Sequence, residues 1–250
     1  MLSQTDTKAA KQAIEQMDHR ELGVIVSRAL AEPVTVTDWQ AALLGGLDSS
    51  PMAGGVYAVT GTACAEPAEV AVSPNDIHCT WRIIVKRLCS PAGFVMPDGT
   101  PISREMAEDQ AHFGYWKREA LVAQSGLLDD LPDGLAAPRC LGLTEISRDE
   151  VWLWQEAAVD DQEWNWNDYR KAAYRLGLWQ GRFVVEGRKR PSPSWLSQNW
   201  LSRWVNGPLT AIFGMFESAD GWRHPLISAH FAPEEIARLQ QLWADRNNLL

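Results

Sequence analysis

A glycine-rich segment, residues 45–55, lies between two runs of strand-forming residues and constrains the fold most strongly. A glycine pair bounds the segment at each end: Gly45, Gly46, Gly54 and Gly55. Residues 34–44 alternate or run apolar, and Val56–Thr60 are rich in β-branched residues, so both runs favour strands. Glycine lacks a Cβ, and its backbone N–H groups can therefore approach an anion closely. The pattern predicts a strand, a loop that can hold phosphate and a second strand; an ordinary surface loop is the alternative.

A further strand-forming run, Cys79–Lys86, ends in a lysine. A helix is expected from Ser103, which can cap it, to about Ser125, and this helix carries Glu119. In kinase-like folds a strand lysine meets the ATP phosphates, and a helix glutamate holds the ammonium group in place. We therefore predict that Lys86 pairs with Glu119. The alternative is a solvated strand end beside an ordinary charged helix face.

The rest of the chain divides into three parts. Residues up to about 32 have a helical apolar pattern, with Asp18 as a cap and Pro33 as the stop. Residues 141–144 and 151–155 predict a hairpin. From about residue 160 only helices are expected. They include one capped by Asp168, one over residues 195–205 and one opened by Pro233.

Composition excludes several classes of protein. A net charge of −9 and a pI of about 5.1 argue against a nucleic-acid-binding protein. No apolar run approaches a membrane span, and the N-terminus lacks a secretory pattern, so we expect a cytoplasmic protein without a membrane partner. The spacing of the 4 cysteines and 5 histidines argues against a disulfide framework and against a zinc site. The 13 tryptophans predict a tryptophan-rich core, with a ligand cage as the alternative.

Several strings resemble the aminoglycoside phosphotransferase-like group of the protein-kinase-like superfamily, which also includes choline and homoserine kinases. They are Trp81–Lys86, Trp116–Ala120, Ser125–Leu128, Ala137–Cys140, Val151–Trp154 and Ala172–Gly177. The likeness covers roughly residues 36–187 and is looser elsewhere. It bears on fold and on nucleotide binding, and it says almost nothing about the acceptor substrate.

The resemblance implies an α+β, protein-kinase-like fold. Residues 1–158 would form an N-terminal nucleotide-binding lobe, an antiparallel sheet with one packed helix, preceded by a helical extension over about residues 1–32. Residues 159–250 would form a mostly helical, incomplete C-terminal lobe. ATP would lie between the lobes, with its phosphates under the glycine-rich segment and near the Lys86–Glu119 pair. The adenine would contact the backbone near Gln155, Glu156 and Ala158.

The kinase-like catalytic pattern H-x-D-x-x-x-x-N is missing from the chain, and so is a metal-binding aspartate in the expected position. Asp160 and Asn165 have the D-x-x-x-x-N spacing, but Ala158 stands where the histidine belongs. In the family a long helix precedes the catalytic loop, and the helix from Pro233 resembles it. We therefore expect a chain truncated before its catalytic loop, with no assigned catalytic or metal-binding residue and with Mg²⁺ bound only if the missing half is supplied.

Three functions follow as hypotheses. The first is the N-terminal part of an ATP-dependent small-molecule phosphotransferase, inactive as this isolated chain, whose partners are a nucleotide and an unknown hydroxyl-bearing substrate. The second is a non-catalytic kinase-like module that binds a nucleotide, a small ligand or a partner protein. The third is a structural α+β protein. A lobe cut before its last strands would expose apolar surface, and this predicts a homodimer.

Overall fold

The structure, a computed structural model, describes residues 4–45, 52–65, 78–95, 99–112, 114–158, 163–185, 193–197, 202, 205 and 214–249. The helices of the N-terminal half are α1 Gln4–Glu15, α2 His19–Leu30, α3 Arg104–Glu108 and α4 Arg118–Gln124. The strands are β1 Val34–Gly45, β2 Ala53–Ala65, β3 His78–Cys89, β4 Cys140–Ser147 and β5 Glu150–Glu156. After β5 come α5 Trp166–Val185, a 3₁₀ turn Gly214–Glu217, α6 Ala219–Trp222, α7 Pro225–His230, α8 Pro233–Ala244 and α9 Arg246–Leu249. Among these helices none is long and apolar enough to cross a membrane.

The second helix, α2, begins and ends where the sequence predicts. The Asp18 side chain accepts hydrogen bonds from the backbone N–H groups of Arg20 and Glu21, at 2.8 and 3.2 Å, and so caps α2. The C-cap of α2 is Ala31, which has a left-handed φ of 59°, and Pro33 follows shortly after it. Both α1 and α2 pack on the sheet, and the helices predicted up to about residue 32 are therefore confirmed.

Five antiparallel strands form one sheet in the order β1-β2-β3-β5-β4. β1 and β2 flank the glycine-rich segment, and β4 and β5 form the predicted hairpin. Because β3 pairs with β5, the chain between β3 and β4 passes beside the sheet, where α3 and α4 lie. The antiparallel sheet and its helices confirm the α+β class.

The two faces of the sheet support two hydrophobic clusters. Ile83 and Val85 are fully buried in the cluster that includes residues of α1 and α2. Leu88 belongs to the second cluster, with Trp116 beside α4. Successive strand residues point to opposite faces, so Lys86 lies on the face of Leu88. The sequence thus places Lys86 on the same side of the sheet as α4.

The prediction of one continuous helix from Ser103 to about Ser125 is wrong. Ser103 does cap a helix, since its Oγ accepts a hydrogen bond from the Met106 N–H at 3.1 Å, but α3 is only 5 residues long. Turns follow, and α4 begins at Arg118. Tyr115 and Trp116 are buried from a turn rather than from a helical stripe, and Gly114, a poor helix former, directly precedes them.

Beyond β5, the described residues add the partly buried Trp195 to the second cluster and no fully buried hydrophobic side chain; the fully buried ones lie between Ala10 and Trp154. The elements there are helical, as predicted, and α8 begins at Pro233. The prediction that Asp168 caps α5 is wrong. This helix begins at Trp166, and Asn165 caps it, since its Oδ1 accepts the Asn167 N–H at 2.9 Å.

The helix predicted over residues 195–205 does not start at Trp195, which lies in a turn. Most of the remaining residues of that range lie outside the described residues. The predicted tryptophan-rich core is confirmed for four side chains, Trp81, Trp116, Trp152 and Trp154. Trp166 departs from this pattern, since it is 83% exposed on α5.

Candidate functional site

The ammonium group of Lys86 and the carboxylate of Glu119 form an ion pair, as predicted. Lys86 is on β3, between Val56 of β2 and Leu153 of β5. Glu119 is in the first turn of α4, which the buried Trp116 anchors to the same sheet face. The two side chains are 34% and 46% exposed, so an anionic ligand can reach them. The contact is confirmed, and its role in holding a nucleotide stays a prediction.

A mostly apolar row continues from Lys86 along its face of the sheet. The row is formed by cross-strand neighbours: Ala58 of β2 and Gln155 of β5 both lie opposite Ile84 of β3. Ala58 is buried, Ile84 is partly exposed, and Gln155 is 9% exposed. Residues two apart on a strand are separated by about 7 Å. The Cα atoms of Lys86 and Ile84 are therefore about 7 Å apart, and of these cross-strand neighbours Ile84 is the one whose side chain is partly exposed.

The second glycine pair lies in a strand, and its predicted place in a loop is wrong. Gly54 and Gly55 belong to β2 and form a bulge, because Ala53 is opposite Leu88 whereas Val56 is opposite Lys86. A Cβ on Gly54 would lie 2.6 Å from the Cys89 Sγ. Gly55 has a φ of 102°, which glycine adopts without strain. Close packing and bulge geometry therefore account for this pair without a ligand.

The first glycine pair is only partly described. Gly45 is the last residue of β1. Gly46 lies outside the described residues, as does the rest of the predicted phosphate-binding loop up to residue 51. The expected contact of this segment with phosphate therefore stays a prediction.

A partly buried charge network contacts the glycine bulge. Arg87, the neighbour of Lys86 on the opposite face, donates from Nη1 to the Gly54 carbonyl oxygen at 3.0 Å. It also forms a forked pair with Glu150, at 2.6 and 2.8 Å. The Trp152 indole N–H donates to the same carboxylate at 2.5 Å. Burial raises the pKa of Glu150, but these hydrogen bonds and the Arg87 charge outweigh it and hold the pKa below its ordinary value.

The predicted adenine-contact residues lie at the end of β5. Gln155 and Glu156 close the strand, and Ala158 follows it. The Glu156 carboxylate pairs with the Arg139 guanidinium, and the Glu156 N–H donates to the Arg139 carbonyl oxygen at 3.1 Å. That N–H is already engaged. Gln155 is paired with Ile84 on one side and with Cys140 on the other, and it is 9% exposed, so an adenine contact at these residues stays a prediction.

Sequence reasoning missed two positioning residues. Arg87 supports the glycine bulge, and Arg118 joins the start of α4 to the carbonyl oxygen of Trp195 at 2.6 Å. Neither has a local signal, because each partner is remote in sequence. In the described part of the chain, no group of three or more His, Cys, Asp or Glu side chains could hold a metal ion. Asp160 lies outside the described residues, and Asn165 caps α5.

Comparisons with family models, with curated proteins and with solved structures find no match to this chain. The sheet, the Lys86–Glu119 pair and the surface beside it are therefore the observations on which a function can be argued.

Proposed function

We propose that this chain binds ATP, or a closely related nucleotide, on the sheet face that carries Lys86. The Lys86–Glu119 ion pair is the observation that carries the proposal. It joins the third strand of an antiparallel sheet to a helix that precedes the fourth. Protein kinases place their phosphate-binding lysine on the third strand and pair it with a helix glutamate. The resemblance stated above and this pair point to the same chemistry.

The residues around the pair suit a nucleotide. The partly exposed Lys86 offers a cation to the phosphates, and Glu119 restricts where its ammonium group can lie. The partly exposed Ile84 offers an apolar side chain to a base, and the amide of the neighbouring Gln155, 9% exposed, can donate and accept hydrogen bonds. Small-molecule sites commonly combine an apolar wall with a few placed polar groups.

The reaction we propose for this site is phosphoryl transfer to a small hydroxyl-bearing substrate, in the manner of the aminoglycoside phosphotransferase-like group. That reaction needs an aspartate that orients the acceptor and oxygen ligands for Mg²⁺. Because the H-x-D-x-x-x-x-N pattern is missing from the sequence, we propose that the isolated chain binds nucleotide without turning it over. This same observation favours the second candidate, a non-catalytic kinase-like binding module in the cytoplasm.

Calorimetric titration of the chain with ATP, ADP, AMP and adenosine, each with and without Mg²⁺, tests the proposal. We expect ATP and ADP to bind more tightly than AMP and adenosine, because Lys86 contributes only when phosphates reach it. We also expect no ADP release from ATP with a mixture of small alcohols present. Equal affinity for ATP and adenosine, or no binding of any nucleotide, would contradict the proposal and favour a structural α+β protein.

A further inference from the structure

A short segment that follows α5 in the chain contacts the start of α4. This segment, residues 193–197, is called the Trp195 segment here. Its Trp195 carbonyl oxygen accepts a hydrogen bond from the Arg118 Nε at 2.6 Å, and its Ser194 Oγ donates to the Gln110 Oε1 at 2.7 Å. The Trp195 side chain packs against the cluster that includes Trp116. The contacts span 77 and 84 positions, so they are tertiary.

Arg118 connects this segment to the turns that lead into α4. Its Nη2 donates to the carbonyl oxygen of His112 at 2.6 Å, and more weakly to that of Gln110 at 3.3 Å. The fork of a guanidinium group fixes several acceptors at once, which a single ammonium group cannot do. Arg118 therefore binds three backbone carbonyls, one of which belongs to the Trp195 segment.

Glu119 directly follows Arg118 in the first turn of α4. The α4 helix has only 7 residues, and a helix this short has little stability of its own. The direction in which Glu119 points thus depends on what holds Arg118 and Trp116. Arg118 is held by the carbonyl oxygen of Trp195, and Trp116 is held by the sheet cluster, against which the Trp195 side chain also packs.

We infer that Arg118 is a positioning residue through which the Trp195 segment holds Glu119 against Lys86. When the Trp195 segment is in place, Lys86 is paired and its ammonium group is fixed. When the segment is released, α4 loses an anchor and the pair opens. The consequence for ATP affinity rests on the function proposed above, whereas the coupling itself does not. The Trp195 segment would then regulate the site through Arg118.

The reactivity of Lys86 toward an amine-acylating reagent, measured by mass spectrometry, tests the coupling without any nucleotide. The variants are Glu119→Gln, Arg118→Gln and Trp195→Ala. Arg170→Gln, which alters an exposed arginine on α5, is the matched control. We expect each of the three to raise the Lys86 labelling rate about two- to fivefold, the factor that an exposed ion pair corresponds to. Arg170→Gln should leave it unchanged.

Lys11 and Lys171 of the same molecule are internal standards, since their partners lie within their own helices. A rise at Lys86 alone supports positioning. An equal rise in the labelling of all three lysines means that the variant unfolds generally. If Trp195→Ala and Arg118→Gln both give this equal rise, the inference is overturned. A rise in Glu119→Gln with parental rates in the other two variants would also overturn it. Failure of the parent to bind ATP would contradict the proposed function only.

Discussion

Lys86 and Glu119 meet across 33 positions of sequence, one on the central strand β3 and the other in the first turn of α4. Exposed ion pairs contribute only about 0–1 kcal/mol to stability. The side chains of this pair are 34% and 46% exposed, so the fold does not depend on it. The pair does hold the Lys86 ammonium group on the sheet face that carries the partly exposed Ile84. The nucleotide binding proposed above would give this arrangement a role that stability does not.

The Arg87–Glu150 pair, in contrast, belongs to the stability of the sheet. Its side chains are only 11% and 19% exposed, and breaking a buried pair leaves an unpaired charge. We expect Glu150→Ala to lower the free energy of unfolding by about 3 kcal/mol, measured by urea denaturation. Asp149→Ala, which removes the partner of Arg104 in an exposed pair, is the control and should leave the midpoint unchanged. Equal effects of the two variants would contradict this account.

The same network predicts a loss of stability in acid. The pKa of Glu150 is held below its ordinary value: burial opposes the charged form, but the Arg87 and Trp152 hydrogen bonds outweigh it. A carboxyl group whose pKa is depressed by folding contributes its stability above its unfolded-state pKa and loses it as the pH falls through the folded one. We expect urea midpoints of the parent and of Glu150→Gln to differ most near pH 7 and to converge toward pH 3. Parallel curves over that range would contradict the prediction.

The Gly54 position tests the structural explanation of the glycine bulge. An added Cβ would lie 2.6 Å from the Cys89 Sγ and 2.8 Å from the Arg87 Cβ. We expect Gly54→Ala to lower the free energy of unfolding by roughly 1–3 kcal/mol, as overpacking does. Gly177→Ala on α5 is the matched control, because nothing lies within 4 Å of its Cβ position. It should not lower stability, since alanine is the better helix former by about 1 kcal/mol.

Parts of the fold and site were predictable because their signals are local. The Asp18 cap, the strand that ends near Lys86 and the hairpin of β4 and β5 each follow from adjacent residues. The Lys86–Glu119 contact was predictable only because the order of elements matches kinase-like folds: a glycine-rich segment, a strand that ends in a lysine and a helix that carries a glutamate. The bulge at Gly54 could not be predicted, because it depends on Arg87 and Cys89 of the neighbouring strand. Before α4, Gly114 is a local signal for a break, but the burial of Trp116 against the sheet has no local signal.

Exposed apolar side chains beyond β5 predict self-association. Trp166 and Val185 on α5 are 83% and 85% exposed, and Tyr174 is 65% exposed. Exposed apolar patches drive proteins together. We expect sedimentation velocity to give a larger species as the concentration rises, and the double variant Trp166→Ser, Tyr174→Ser to shift the distribution toward monomer. A monomer at every concentration would contradict the predicted homodimer.

The affinity of the Lys86→Ala variant for ATP tests the central claim most directly. Lys11→Ala, which removes a paired lysine from α1, controls for the loss of one positive charge. Because hydrogen bonds to charged groups contribute about 1.5–3 kcal/mol, we expect calorimetry to give about ten- to hundredfold weaker binding for Lys86→Ala. Lys11→Ala should bind ATP as the parent does. Equal ATP affinity in Lys86→Ala and the parent would contradict the claim that this lysine holds the nucleotide.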